Sequence, residues 1–93
     1  MFLEKLMNSA SVLRIGAVEI LFSFDLPVAV SKDNVIVVLR KEDRRFKTNS
    51  VHIGTFLRGR VIDAEASADD LKDAITRAMR TLYNYSIPPP ANA

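Results

Sequence analysis

The spacing of apolar positions changes period along the chain. Phe2, Leu3, Leu6 and Met7 recur at helical spacing, which predicts a short N-terminal helix over residues 2–8, broken by Asn8 and Ser9. Two runs rich in β-branched and aromatic residues follow, SVLRIG (11–16) and VEILFSF (18–24), with Gly16 at a tight turn or bulge between them. In the second run Val18, Ile20, Phe22 and Phe24 share one face. Glu19, Leu21 and Ser23 share the other, which leaves Leu21 as an apolar residue on the more polar side. Asp25-Leu26-Pro27 then punctuates the chain. Pro27 has no N–H to donate and belongs at a strand start or edge. The runs 27–31 and 34–41 flank Lys32-Asp33-Asn34, residues that tolerate turn geometry, so they form a hairpin. VIVVL lacks polar alternation, as expected of a strand covered on both faces, or covered on one face by a partner. Glu42-Asp43 marks another turn, and 44–46 is expected as a short, charged edge strand.

Helical period returns after residue 47. Thr48, Asn49 or Ser50 can cap a helix in which Ile53, Phe56 and Leu57 form an i, i+3, i+4 stripe, and Gly59 supplies its stop. Residues 61–66 form a linker with a short strand at 61–63. Ser67 and Asp70 then make a capping box for a second helix running to about Tyr83. Its buried stripe is Leu71, Ala74, Ile75, Ala78, Met79 and Leu82. The fold class predicted is α+β: an antiparallel meander of three to four strands followed by two helices packed on one face. The domain is expected to occupy residues 1–86. Residues 87–93 form a flexible proline-rich tail, with Pro88, Pro89 and Pro90 in polyproline II.

Composition narrows the function classes. There is no cysteine, which removes disulfides, thiolate metal sites and thiol nucleophiles, and a single histidine makes a structural zinc site untenable. No cofactor is expected. No apolar run approaches the ~18 residues of a membrane span, so no membrane partner is expected. The start, MFLEKLMNSA, carries Glu4 and lacks a long apolar core, so it does not read as a signal peptide.

The formal net charge of +2 conceals an asymmetry. Residues 40–60 hold seven basic side chains (Arg40, Lys41, Arg44, Arg45, Lys47, Arg58, Arg60) against Glu42 and Asp43, giving +5. Residues 61–73 hold five acids (Asp63, Glu65, Asp69, Asp70, Asp73) against Lys72, giving −4. Such blocks serve a ligand or partly satisfy each other. Arg40, Lys41, Arg44, Arg45 and Lys47 sit at a strand end, a turn and the approach to a helix start, a setting suited to phosphate. Phe46 lies among them and can stack a base if it is exposed.

His52 would lie one turn into the helix if Thr48 capped it, with Thr48 at i−4 and Phe56 at i+4. A catalytic relay would need a base, an orienting acid and an oxyanion site, and no accompanying motif supplies them. The leading reading is a half-buried histidine whose ring nitrogen bonds a hydroxyl or a backbone carbonyl and locks the loop before the helix. A contact to nucleic acid or a partner is the alternative. Leu21, Val37 and Leu39 exceed what a small core readily hides, so sheet packing in a homodimer is weighed against cover by the chain's own helices.

Two stretches carry a resemblance: S-F-D-L-P-V-A-V at 23–30 and F-K-T-N-S-V-H-I-G-T-F-L at 46–57. Together they resemble a family of small uncharacterised domains common in tailed-phage and prophage genomes. There an aromatic strand ending in Ser-Tyr precedes Thr-Pro-Val-Ala, and a Thr-Thr-Ser-x-His-Ile-x-x-Phe segment follows. Ser23, Phe24, Pro27, Val28 and Ala29 match the first part; Phe46, Thr48, Ser50, His52, Ile53, Phe56 and Leu57 match the second. Leu26, Lys47 and Asn49 depart from it. The resemblance implies a viral or mobile-element source and no particular activity. The combined expectation is a non-enzymatic accessory protein in the cytoplasm of an infected or lysogenic host. It acts by binding nucleic acid at the basic edge, or else a host or phage protein or a second copy of itself.

Overall fold

The computed structural model describes the backbone of residues 1–86 and the side chains of residues 1–80. The expectations for Leu82 and for segment 87–93 lie outside the described residues. A single six-stranded sheet runs in the order β1 (Phe2–Met7), β2 (Ala10–Ile15), β3 (Val18–Ser23), β4 (Leu26–Lys32), β5 (Val35–Leu39) and β6 (Ala64–Ala66). The fold is therefore α+β, but with six strands rather than three or four. The first five strands are an antiparallel meander, and β6 adds in parallel to β5. A parallel neighbour needs a crossover connection. That connection holds a 3₁₀ turn (Lys41–Asp43) and helix α1 (Lys47–Leu57); helix α2 (Ala68–Ser86) follows β6.

Tight turns explain the meander. Asp33-Asn34 and Phe24-Asp25 each place both central residues at positive φ, the type I′ arrangement whose twist matches a hairpin. Gly16 (φ 56°) turns β2 into β3, and Ser9 (φ 62°) turns β1 into β2. Pro27 lies where β4 pairs with β3 at an irregularity opposite Phe22, before the β4–β5 ladder begins at Ala29, so its missing N–H breaks no β5 bond.

The expected N-terminal helix is strand β1. Its six residues are too few to nucleate a helix alone, and Glu4 pairs across to Val12 while its carboxylate takes a 2.8 Å bond from Arg14 on β2. The expected edge strand at 44–46 is also absent. The chain there leaves the 3₁₀ turn and enters α1, and the edge position is taken by β6, a little beyond the strand expected at 61–63.

The helices cover opposite faces, not one. Glu19, Leu21 and Ser23 of β3 face α1 and the turn after it, where Ser23 bonds His52 and Glu19 bonds Arg60. Ile20 and Phe22, of opposite parity, line a hollow with Lys72, Ile75 and Thr76 of α2. The physical reason is visible in β3 itself: Ile20 and Leu21 are adjacent and both buried, so each face needs a cover. Leu21, Leu39 and Leu71 are fully buried, each contributing about 1.5–3 kcal/mol. Leu21 and Leu39, weighed as a surplus for a dimer, are thus hidden within one chain, and Val37 is partly buried beneath α2. The exposed apolar residues at the sheet edge are instead Phe2 and Leu3 of β1.

Candidate binding surface and the polar lock beneath it

The two stretches singled out in the sequence meet in space. Ser23, the last residue of β3, lies under α1 with its Oγ 2.6 Å from His52 Nδ1. Asn49 Nδ2 donates to the same Oγ at 2.7 Å. All three side chains are 0–1% exposed. Asn49 is the donor to Oγ, and Ser23 Oγ and His52 Nδ1 share a hydrogen bond whose direction follows the imidazole tautomer. Asn49 has a further task. Its Oδ1 accepts the Phe46 N–H at 3.1 Å while its own N–H donates to the Phe46 carbonyl at 3.0 Å. The N-cap of α1 is therefore Phe46, and Asn49, at the third helical position, supplies the polar half of a capping box.

This places Thr48 and Ser50 outside the cap. Both are exposed, and Ser50 Oγ accepts a 3.0 Å bond from Arg44. His52 bonds a hydroxyl, as the locking role requires, and is fully rather than half buried. A serine nucleophile must reach its substrate, and the Ser23 hydroxyl has no exposed surface and is engaged from two sides. The constellation is a hydrogen-bond lock joining α1 to β3. The other end of α1 is closed by Arg60, which donates to the carbonyls of Leu57 (3.0 Å) and Phe56 (2.9 Å) and lies over the Phe56 ring at 5.0 Å. The reversal that brings Arg60 back is made by Arg58, the left-handed C-cap at φ 50°, together with Gly59 at φ 83°.

The basic edge separates into tied and free cations. Arg44 is a structural tie. Its side chain is 9% exposed, and its guanidinium donates to the Leu39 carbonyl at 2.9 Å and lies 3.7 Å from Glu65. Arg40 pairs with Asp43 at 3.2 Å and with Glu42 at 3.7 Å. Lys41, Arg45 and Lys47 are exposed and have no ion pair among the described residues. Arg45 also borders a hollow of about 180 Å³ with Leu26, Pro27 and Lys72, which brings a cation of α2 to the same side.

Phe46, between Arg45 and Lys47, is 57% exposed. Its ring meets that of Phe24 edge-on, centroids 5.5 Å apart, and Phe24 in turn lies 5.6 Å from the His52 ring. Phe24 was expected to continue a strand. It occupies the first central position of the β3–β4 turn at φ 51°, is 46% exposed, and its N–H donates to the Ser9 carbonyl at 2.8 Å. Sequence reasoning missed Phe24 and Lys72 as surface residues and Ser23 as a lock residue. The available signal was Phe-Asp at a turn position that favours Asn-Gly.

Asp43 anchors the remaining helix. Its Oδ2 accepts the Ala68 N–H at 2.8 Å, and Ser67 Oγ accepts that of Asp70, so both cap the start of α2. The Ala68 N–H holds the Asp43 carboxyl below its ordinary value; partial desolvation opposes this, and the Arg40 guanidinium adds to it.

Among the described residues no cluster of His, Asp and Glu is placed to hold a metal, and no helix is long and apolar enough to cross a membrane. No family model, no curated protein and no solved structure matches the chain.

Proposed function

We propose that the protein is a small non-enzymatic accessory domain of phage type that binds nucleic acid through its basic edge. The observation that carries this reading is the exposure of Phe46 between Arg45 and Lys47, with Lys72 bordering the same hollow as Arg45. Unpaired cations attract phosphates, and the positive end of the α1 dipole adds to their potential. The resemblance to phage and prophage domains suits an accessory role in the cytoplasm of an infected or lysogenic host.

The test is oligonucleotide binding by fluorescence anisotropy at rising salt. Three or four phosphate contacts on a single strand give a log–log slope of about −2 to −3, a loss of roughly 20- to 50-fold between about 50 and 200 mM salt. Lys41→Ala, Arg45→Ala and Lys47→Ala together flatten that slope for every sequence. Arg44 is left intact because its bond to the Leu39 carbonyl would make its loss a change in stability as well as in charge. Absence of binding at low salt to single and double strands alike sinks the proposal.

Exposed Phe2 and Leu3 on edge strand β1 favour a second reading, contact with a host or phage protein or with another copy. Light scattering over a concentration series tests the self-association, and a monomer throughout removes it.

A further inference from the structure

The basic edge explains attraction to phosphate but not the placement of two aromatic rings in solvent. We infer that Phe24 and Phe46 form a stacking platform that makes the surface selective for single-stranded over double-stranded nucleic acid. This rests on the nucleic-acid reading and goes beyond it, because paired bases in a duplex offer no free face to an exposed ring, whereas unpaired bases do.

The backbone argues for it first. A type I′ turn favours Asn or Gly at both central positions, and a bulky aromatic residue at φ 51° is strained there. Strain of this kind persists only where the surroundings enforce it, and it gathers at functional positions. The surroundings enforce it: the Phe24 N–H is held by Ser9, its ring rests against His52, and Ser23 before it is fixed by Asn49.

One residue also secures both rings. Asn49 holds the Phe46 N–H through Oδ1 and the strand end leading to Phe24 through Nδ2. The rings stay 46% and 57% exposed although their backbones are tightly held, which is the arrangement a preorganised contact surface needs. Charge favours the same surface. Arg45 and Lys47 flank Phe46 in the chain, so phosphates on either side of a stacked base meet cations. Asp25, the other central residue of the Phe24 turn, adds a negative charge next to one ring.

The experiment compares a short oligothymidylate with a duplex of equal length across salt, for the intact chain, Phe46→Ala, Phe46→Tyr and Phe24→Asn. Melting temperature is recorded for each. Phe24→Asn suits the turn and keeps the fold, so its effect on binding is separable from any effect on stability. The expected result is a single-strand preference that falls about tenfold or more in Phe46→Ala and falls in Phe24→Asn. It is retained in Phe46→Tyr, and the salt slope is unchanged in all. If both nucleic acids bind with steep salt dependence but the aromatic variants keep the wild-type preference, the platform is overturned and the basic-edge reading stands. If neither nucleic acid binds, both fall.

Discussion

Asn49→Ala is the sharpest test of the lock. The substitution removes a buried amide that makes two side-chain bonds, to Ser23 Oγ at 2.7 Å and from the Phe46 N–H at 3.1 Å. Loss of the cap half costs about 0.5–2 kcal/mol. Loss of the buried bond to Ser23 costs a further 0.5–1.5 or so, and the small void left behind adds to both. The total is about 2–4 kcal/mol, against a whole stability of roughly 5–14 kcal/mol for a chain of 93 residues. Thermal unfolding followed by far-ultraviolet circular dichroism should show a drop of about 10 °C or more. Thr48→Ala, one residue away but exposed and outside the cap, should stay within about 0.5 kcal/mol of the parent. A double cycle with Ser23→Ala should return a coupling of about 0.5–3 kcal/mol. If Thr48→Ala cost as much as Asn49→Ala, or the cycle gave no coupling, the lock as described would be wrong.

Arg44→Ala should destabilise by about 1.5–3 kcal/mol in a denaturant titration, because its charge-assisted bond to Leu39 is well sheltered, while Arg45→Ala should change little. Asp43 gives a pH dependence of defined sign. Its folded carboxyl titrates below the unfolded value of about 3.9, so its stabilisation is fully present above that value and is lost as pH falls through the folded one. The melting temperatures of the parent and of Asp43→Asn should therefore converge in acid; a gap that persisted or widened there would contradict the cap. Leu71→Ala should cost about 2–5 kcal/mol, measured by the same unfolding, as the largest fully buried side chain that α2 offers the sheet among the described residues. Asp25→Asn should strengthen oligonucleotide binding at low salt by roughly 2- to 5-fold in anisotropy, the worth of one exposed charge.

Much of the meander was legible because its turns use residues that say so. Gly16 and Asp33-Asn34 accept positive φ with little strain, and the strands they join were expected within a residue or two. The N-terminal segment was not, because FLEKLM satisfies helical spacing and strand pairing alike; only the partner β2 decides. Strand β6 is Ala-Glu-Ala, with no β signal of its own. It is placed by neighbours: Asp63 accepts the Ile36 N–H at 2.7 Å and Arg40 donates its N–H to Ala66 at 2.8 Å. Leu21, on the polar side of its strand, was the visible hint that the second face is covered too. At the site, His52 and the capping cluster were recognisable, but a run of basic residues does not reveal that Arg44 turns inward while Arg45 stays in water. That division is set by Leu39 and Glu65, which are distant in sequence or lie across the edge.

The parallel closure of β6 on β5 also orders the folding of the chain. Each hairpin from β1 to β5 closes a turn of two residues, whereas β6 can pair only after the 24 residues between Leu39 and Ala64 have been folded back. That closure costs about 3 kcal/mol more than contact between adjacent residues, by the logarithmic dependence on loop length. Contacts of long sequence separation form late when local ones are available. The meander should therefore collapse first, and α1, once its lock engages Ser23, should act as the brace that delivers β6 and then α2. Hydrogen exchange should show β6 and the first turn of α2 opening together, at lower free energy than β3 and β4, which makes this edge the region where the molecule loosens first.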